Sequence, residues 1–241
     1  MKIRLDKYLA DMGLGTRSQI KKEIRSGQIT VNGISICRPE VKIDTGQDKV
    51  IFHGEPVTYE EYEYFMLNKP AGVISAASDC QETTVIDLIR DRKRDDLFPV
   101  GRLDKDTEGL LIITNNGELA HRLLSPKKHV DKVYFARING RVTQSDVDNF
   151  SRGMDIGDEK PTLPADLVIC TSDEVSEIRL TIREGRFHQV KRMFQAVGKE
   201  VVYLKRLRMG SIALDESLKP GEYRRLTEEE VERLCSQERK P

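Results

Sequence analysis

The residues best suited to chemistry lie in one short charged loop, whose sequence is GRLDKDTEG over residues 101–109. It follows a short strand pattern at 97–100 and precedes the apolar, β-branched run LLIIT, so strands are predicted on both sides. Loops held between strands often carry function. A carboxylate beside a cation stays ionised and nucleophilic at neutral pH, because the opposite charge offsets desolvation. On charge alone, a solvated connecting loop is an equally good interpretation.

The order G-R-L-D-x-x-T-x-G-L-L in this loop resembles the signature of the pseudouridine synthases, in the branch that modifies ribosomal RNA. The resemblance implies that Asp104 is the catalytic residue. Asp106 and Glu108 fall on positions that the family leaves variable, so no role is carried onto them. Nothing is consumed in the implied isomerisation of uridine, so no cofactor and no metal is expected.

Two further segments resemble family motifs in the family's order. K-x-Y ending at Tyr134 resembles the second motif, whose tyrosine stacks on the target base; without the family, core packing is the better interpretation of this tyrosine. E-G-R-F-H-Q-V-K-R-M at 184–193 resembles the third, whose basic residue, here Lys191, reaches back to the aspartate. Many members have arginine there, and lysine cannot bridge bidentately, so Arg192 is an alternative partner.

The same resemblance supplies candidate RNA contacts around the cleft. L-N-K-P-x-G at 67–72 resembles a loop beside the active site, with a simple hairpin turn as the alternative. Arg102 is expected to contact a phosphate or to help occupy the stack vacated by the target base. Within the third motif, H-Q-V-K-R-M-F resembles the small-subunit (16S) enzyme more than its large-subunit relatives. The expected substrate- and RNA-binding residues are Arg102, Lys69, Arg186, His188 and Arg192.

Residues 1–58 are predicted to form a separate small module. Apolar residues at helical spacing, a second helix capped at Thr16 or Ser18, and an Asn-Gly hairpin follow one another. A basic helix face is usually only solvated. The order R-L-D-K-x-L, basic helix and V-x-V/N-G motif resembles the S4 RNA-binding domain, which lays this helix on RNA backbone. Phosphate contacts are therefore expected at Arg4, Arg17, Lys21, Lys22 and Arg25.

The remainder divides into a polar linker at 59–63 and a catalytic domain at 64–241. A hairpin at 64–75 and short helices at 84–90, 117–124 and 145–151 are expected, followed by an amphipathic helix after His188 and a capped C-terminal helix at Thr227. Strands outnumber helices and no βαβ rhythm repeats. The predicted class is α+β: an S4-like domain, then a pseudouridine synthase domain with a mainly antiparallel mixed sheet flanked by helices.

Composition sets the broader expectations. Net charge is +0, yet residues 179–208 carry nine Lys/Arg and two Asp/Glu, whereas 215–232 carry seven acids and three bases. Such a local basic field attracts phosphates. The four cysteines are isolated, no apolar run approaches about 20 residues, and the N-terminus is charged where a signal peptide is apolar. A cytoplasmic protein, without a zinc site and acting as a monomer, is expected.

The predicted activity is isomerisation of one uridine of 16S ribosomal RNA, in a small-subunit assembly intermediate, after the base leaves its stack. A synthase acting on 23S ribosomal RNA and a non-catalytic S4-type RNA-binding protein are the alternatives; the presence of Asp104 argues against the second. A glycoside hydrolase using Asp104 with Asp106 or Glu108 is disfavoured, since carboxylates this close in sequence rarely flank a bond at about 5 Å or more.

Overall fold

Helix formation near the N-terminus follows local sequence signals. In the computed structural model, which describes residues 1–236, α1 spans Leu5–Asp11 and α2 spans Arg17–Arg25. Thr16 and Gln19 form a capping box at the start of α2, which confirms the predicted cap. Ile20 and Ile24, four residues apart, are fully buried in a cluster with residues of α1. The basic residues of α2 remain exposed or partly exposed beside this buried pair.

Short strands complete this part of the fold. Asn32 and Gly33 both adopt positive φ (53° and 80°) and form the predicted hairpin turn. One sheet pairs β1 with β4, and a four-stranded antiparallel sheet has the order β3-β2-β5-β6. The strands are β1 Lys2–Arg4, β2 Ile29–Val31, β3 Ile34–Ser35, β4 Lys42–Asp44, β5 Val50–Phe52 and β6 Glu55–Val57.

The chain separates into two compact units, and their boundary is discontinuous in sequence. The first unit is Met1–Glu63 together with Arg90–Leu97, and the second is Tyr64–Ile89 with the chain from Phe98 onward. The Glu63 carboxylate accepts hydrogen bonds from the backbone N–H groups of Lys93 and Arg94. The Tyr59 hydroxyl donates to Asp11. Residues 59–63, expected to be a flexible linker, are thus fixed within the first unit.

The second unit is built on one large sheet, with four α-helices in its described part. Its strands have the order β11-β12-β10-β13-β9-β7-β15, with β14 beside β13 and β8 beside β9. The elements are β7 Tyr64–Lys69, β8 Phe98–Pro99, β9 Glu108–Thr114, α3 Gly117–Leu124, β10 Lys132–Asn139, α4 Gln144–Arg152, β11 Asp166–Thr171, β12 Val175–Ile182, α5 Gln189–Ala196, β13 Glu200–Met209, β14 Ile212–Ala213, β15 Tyr223–Arg225 and α6 Glu228–Ser236.

One pairing in this sheet is parallel, and it joins β9 to β13. The other named strand pairs of the described chain are antiparallel, which confirms the predicted α+β class. At the junction, Gly109 has φ +100°, and a Cβ there would lie 2.3 Å from the backbone O of Arg206. Glycine is therefore required for β9 to approach β13 this closely. The charged loop 101–107 enters the sheet at this point.

Helices cover the sheet at both ends. Leu119 and Leu123 of α3 and Leu234 of α6 pack on β7 and β9 in one apolar cluster. Phe150 of α4 packs on Phe194 of α5, with ring centroids 4.9 Å apart. The predicted helices at 117–124 and 145–151 are confirmed, as is the capping box at Thr227. Within the described residues, no helix has the length and apolar character needed to cross a membrane.

Two local predictions were wrong. Residues 84–90 form a turn and not a helix, with the Thr84 N–H and hydroxyl bonded to Asp87. The expected hairpin at 64–75 is absent, because β7 continues through Lys69 and pairs with β9 and β15. Ile74 forms only an isolated bridge with Thr84. Long-range strand pairing replaces the local hairpin in this segment.

Candidate active site and RNA-contacting surfaces

The charged loop is held by contacts from residues far away in sequence. Ser75 both donates to the carbonyl of Leu103 (2.8 Å) and accepts from its N–H (3.1 Å). The backbone N–H of Gly72 donates to the carbonyl of Lys105 at 2.8 Å. The N–H of Thr107 bonds back to the carbonyl of Asp104 and closes a turn. The segment 70–75 therefore fixes the loop on which the predicted catalytic carboxylate is carried.

Asp104 is brought next to two residues of the third motif, as predicted for Lys191. Its Oδ2 lies 3.2 Å from Lys191 Nζ, and its Oδ1 lies 3.6 Å from His188 Nε2. The side chain is 22% exposed, so it is largely shielded from solvent. Asp104 is carried by the loop before β9, whereas His188 and Lys191 lie at the start of α5. The parallel junction of β9 with β13, which follows α5, places these segments together.

Lys191 is shared between two carboxylates. Its ammonium lies 2.6 and 2.8 Å from the two oxygens of Asp106, closer than it lies to Asp104. The hydrogen bond from Lys191 lowers the pKa of Asp106, which is more than half exposed. Burial lowers the pKa of Lys191, but Asp106 and Asp104 together outweigh burial and raise it. Lys191 therefore stays positively charged beside Asp104.

A cleft of about 680 Å³ opens at Asp104. Tyr134 lies in its wall and is 7% exposed. Alternate residues of β10 face the same side of a strand, so Lys132 and Tyr134 line the cleft together. Leu204 and Ile182 supply apolar wall from the two neighbouring strands. The cleft thus combines a carboxylate, cations and an aromatic ring.

Two buried cations of this cleft were not among the predicted site residues. Lys132 is 5% exposed, and burial, with the charge of Arg206, lowers its pKa to about 8. Arg206 is 2% exposed; its Nε donates to the carbonyl of Leu110, and its Nη2 has no hydrogen-bond partner among the described residues. The K-x-Y motif contained the signal for Lys132. No local pattern marked Arg206, whose position depends on the register of β13.

Lys69 does not lie where its predicted RNA contact requires. Its side chain is fully buried, and its ammonium donates to three backbone carbonyls: Pro70, Lys105 and Thr107. Burial lowers its pKa to about 8. Two of the acceptors belong to the charged loop. The predicted RNA contact is corrected: Lys69 is a positioning residue beneath the loop that carries Asp104.

Arg186 and Arg192 are largely engaged within the protein. Arg186 bonds to Glu184 and to the carbonyls of Lys160 and Pro161. Arg192 bonds to Asp158 and to the carbonyl of Ile156, and it does not pair with Asp104. Both guanidinium groups therefore fasten the segment 156–161 to the turn before α5. The alternative in which Arg192 shares the pairing with Asp104 is not observed.

Arg102 lines the cleft, and its predicted phosphate contact stays a prediction. It is exposed, and among residues 1–236 its guanidinium has no carboxylate partner. His188 also lines the cleft, in the left-handed conformation (φ +48°) that begins α5. Beside it, Phe187 also lines the cleft and is 76% exposed, a feature that the sequence prediction missed.

The basic face of the first unit is formed as predicted. Arg17, Lys22 and Arg25 are exposed on α2, Lys21 is partly exposed, and none of the four pairs with a carboxylate in the described chain. Arg4 differs, because its Nε and Nη2 donate to the two carboxylate oxygens of Asp6 at 2.9 and 2.8 Å. The hydrogen bond to Asp6 raises the pKa of Arg4. Four cations on α2 thus remain available for phosphates, and Arg4 is partly neutralised.

Comparison with known proteins identifies the family. Residues 63–196 match the model of the RNA pseudouridylate synthases, and residues 3–49 match that of the S4 domain. The chain belongs to the RNA pseudouridylate synthase family. It is 47% identical to an uncharacterised RNA pseudouridine synthase, YtzG, of Bacillus subtilis, over 96% of this chain and 98% of that protein. A solved pseudouridylate synthase has 40% identity and a TM-score of 0.68, covering 96% of this chain and 99% of that one.

A ribosomal small subunit pseudouridine synthase A, from Escherichia coli, is 40% identical over 95% of this chain and 98% of its own length. These similarities confirm the predicted fold, an S4 domain followed by a pseudouridylate synthase domain, and its enzyme class, an isomerase. The Asp104 cleft lies in the synthase domain, and the basic face of α2 lies within the segment matched to the S4 domain.

Proposed function

We propose that this synthase converts one uridine of 16S ribosomal RNA to pseudouridine, with Asp104 as its catalytic carboxylate. The observation that carries the proposal is the placement of Asp104 beside Lys191, in a cleft that Tyr134 also lines. The 40% identity to a small-subunit enzyme along nearly the whole chain supports this ribosomal target. We further propose that it acts in the cytoplasm, as a monomer, on a small-subunit assembly intermediate.

The reaction rearranges one nucleotide without adding or removing atoms. The bond from uracil N1 to ribose C1′ breaks, the uracil turns within the cleft, and C5 bonds to C1′ while its proton is transferred to N1. Every atom of the substrate is retained, so the balance needs no oxidant, reductant or co-substrate. The protein has to hold the freed uracil, stabilise charge at C1′ and accept and return one proton.

The cleft residues supply these roles. Asp104 acts at C1′ or at the ring as nucleophile, or as base in an elimination route. Lys191 places a positive charge 3.2 Å from it. The target uridine must first leave its stack, which costs a few kcal/mol. Stacking on Tyr134 offsets part of this cost, and Arg102 contacts phosphate or helps to occupy the vacated position.

The basic face of α2 binds RNA by its phosphates. Arg17, Lys21, Lys22 and Arg25 present four positive charges that have no carboxylate partner among residues 1–236, and their phosphate contacts position the enzyme without reading sequence. The small domain then raises the local concentration of RNA at the synthase domain, because both belong to one chain.

The test incubates purified protein with unmodified 16S transcript, 23S transcript and a 30S-like particle, and then maps pseudouridine at single-nucleotide resolution. We expect one modified uridine, in 16S RNA and most rapidly in the particle. Modification of 23S RNA alone would overturn the ribosomal target. Release of free uracil would identify a hydrolase, and RNA binding without any product would identify a non-catalytic protein.

A matched pair of substitutions tests the catalytic assignment. Asp104→Asn should bind RNA normally and lose product formation by about a thousandfold or more, since the amide cannot act as nucleophile or base. Asp106→Asn, two residues away and also bonded to Lys191, should retain activity within a few-fold. Release of tritium from C5-labelled uridine in RNA measures both. Appreciable turnover by the Asp104 variant would remove the assignment.

A further inference from the structure

One aromatic side chain that lines the cleft, Phe187, is largely exposed and not packed into the apolar core. Phe187 is 76% exposed, although burial of a phenyl ring is normally favourable. Its ring stacks on that of His188, with centroids 3.8 Å apart and planes inclined by 19°. His188 Nε2 in turn lies 3.6 Å from Asp104 Oδ1. A continuous path of contacts thus joins an exposed aromatic surface to the proposed catalytic carboxylate.

The turn that carries this pair is fixed from both sides. Arg192 donates to the carbonyl of Phe187 at 3.2 Å, and its backbone N–H donates to the carbonyl of His188. Gln189 Oε1 accepts from the backbone N–H of Arg186 at 3.0 Å. His188 keeps a positive φ of 48°, a conformation that a non-glycine residue holds only when its surroundings impose it. Phe187 is therefore presented on a rigid turn.

We propose that Phe187, supported by His188, stacks on the nucleobase adjacent to the target uridine in the RNA. The inference rests on the proposed function and refines its substrate: RNA whose neighbouring nucleotide is unpaired when bound. An aromatic face binds any base, because every base has a π face. Tyr134 lies deep in the cleft and is 7% exposed, so it suits the target base, whereas Phe187 at the mouth suits the next one.

The charge around the mouth fits the same ligand. Arg102 lines the cleft and has no carboxylate partner among the described residues, so it can meet a phosphate between the two nucleotides. If the ligand of Phe187 were instead an apolar protein surface, it would offer Arg102 no anion to contact. A single-stranded nucleotide step supplies both the anion and the flat ring.

Substitutions at Phe187 separate stacking from simple apolar contact. Phe187→Ala and Phe187→Leu should each lower kcat/KM on the 16S transcript by about tenfold or more, while Phe187→Tyr and Phe187→Trp stay within about threefold. Val168→Ala, which removes another exposed apolar side chain on β11, should match the parent protein. Because Phe187 is exposed, the variants should keep the parent melting temperature, which verifies their folding. Parent-like kcat/KM for the alanine or the leucine variant would overturn the proposal.

A direct probe gives a second readout that does not depend on turnover. A short RNA spanning the mapped uridine, or a uridine-rich single strand if none is mapped, carries 2-aminopurine beside one uridine. Binding should quench its fluorescence with the parent protein and with Phe187→Trp, and much less with Phe187→Leu. Failure of the parent protein to make pseudouridine would reject the proposed function, whereas equal quenching by all variants would reject the stacking role.

Discussion

At the scale of single residues, the cleft shows cations used in two different ways. Arg102 lines the cleft, and Lys191 lies beside Asp104, so both can act at the substrate or at the carboxylate. Lys69 is buried, and its ammonium donates hydrogen bonds to backbone carbonyls of the loop that carries Asp104. The sequence motifs mark both Lys69 and Lys191, but they do not show which lysine is buried beneath the loop and which lies beside Asp104. Only the continuation of β7 through residue 69, which depends on long-range pairing, removes Lys69 from the surface.

Lys69→Met should therefore act on stability and turnover and not on RNA affinity. Three carbonyls lose their donor, so the free energy of unfolding should fall by about 2–4 kcal/mol. A displaced loop should lower kcat by about 10- to 100-fold. Urea unfolding, steady-state kinetics and RNA binding by fluorescence anisotropy measure the three quantities. Lys105→Met, in the same loop but exposed and paired with Glu82, should change stability by less than about 0.5 kcal/mol.

The pKa of Lys69 also predicts a pH dependence of stability. Burial lowers this pKa to about 8 from the usual 10.5, so between these values the unfolded chain binds more protons than the folded protein. The contribution of Lys69 to the free energy of unfolding should rise as pH increases from 8 to 10.5. Urea unfolding at pH 7.5, 8.5 and 9.5 should show a smaller rise for Lys69→Met than for the parent. Parallel pH profiles for the two proteins would contradict the assignment.

At the scale of elements, helix ends followed from the sequence and strand partners did not. The capping boxes at Thr16 and Thr227 are local, because each joins residues three apart. The partners of β7 lie 40 to 50 residues away in β9 and more than 150 away in β15. The same limit explains why Arg206 was missed. The motifs identified Asp104, Tyr134 and Lys191, whereas the wall contributed by β13 depends on tertiary pairing.

Gly109→Ala should break the parallel junction of β9 with β13. Its new Cβ would lie 2.3 Å from the backbone O of Arg206 and 2.8 Å from its backbone N. Because both are backbone atoms, a change of side-chain rotamer cannot relieve this clash. We expect the free energy of unfolding to fall by about 3 kcal/mol or more. Activity should be lost as well, because the junction aligns Asp104 with α5. Thermal unfolding and tritium release measure the two effects. Gly117→Ala, at the start of α3 with open space around it, should be neutral or slightly stabilising. Equal melting temperatures for both variants would contradict this account.

At the scale of the whole molecule, positive charge is concentrated on local surfaces although the total charge is balanced. The chain has no net charge, yet α2 presents four cations without carboxylate partners in the described part of the chain. The sequence predicted this basic helix face because Arg17, Lys21 and Arg25 recur at helical spacing. It did not predict that residues 90–97 belong to the first unit, because nothing in a linear pattern marks a segment that returns to an earlier domain.

Lys21→Ala combined with Arg25→Ala should weaken RNA binding and reduce its salt dependence. Two fewer phosphate contacts should lower the slope of log Kd against log salt by about 1–2. Turnover at saturating RNA should stay near that of the parent, since neither residue lines the cleft. Lys7→Ala is the control, because Asp11 already neutralises Lys7. A slope equal to that of the parent would exclude α2 from the RNA-binding surface.

The discontinuous first unit limits how the enzyme can be divided. Arg94 is 4% exposed and sends its guanidinium to Asp96, to the Tyr59 hydroxyl and to the carbonyl of Glu60. A truncated protein that begins at residue 64 would keep Arg94 but lose two of its acceptors, the Tyr59 hydroxyl and the Glu60 carbonyl. The backbone N–H groups of Lys93 and Arg94 would also lose their acceptor, the Glu63 carboxylate. The N-terminal domain therefore cannot be exchanged between related enzymes on its own, because residues 90–97 would have to be transferred with it.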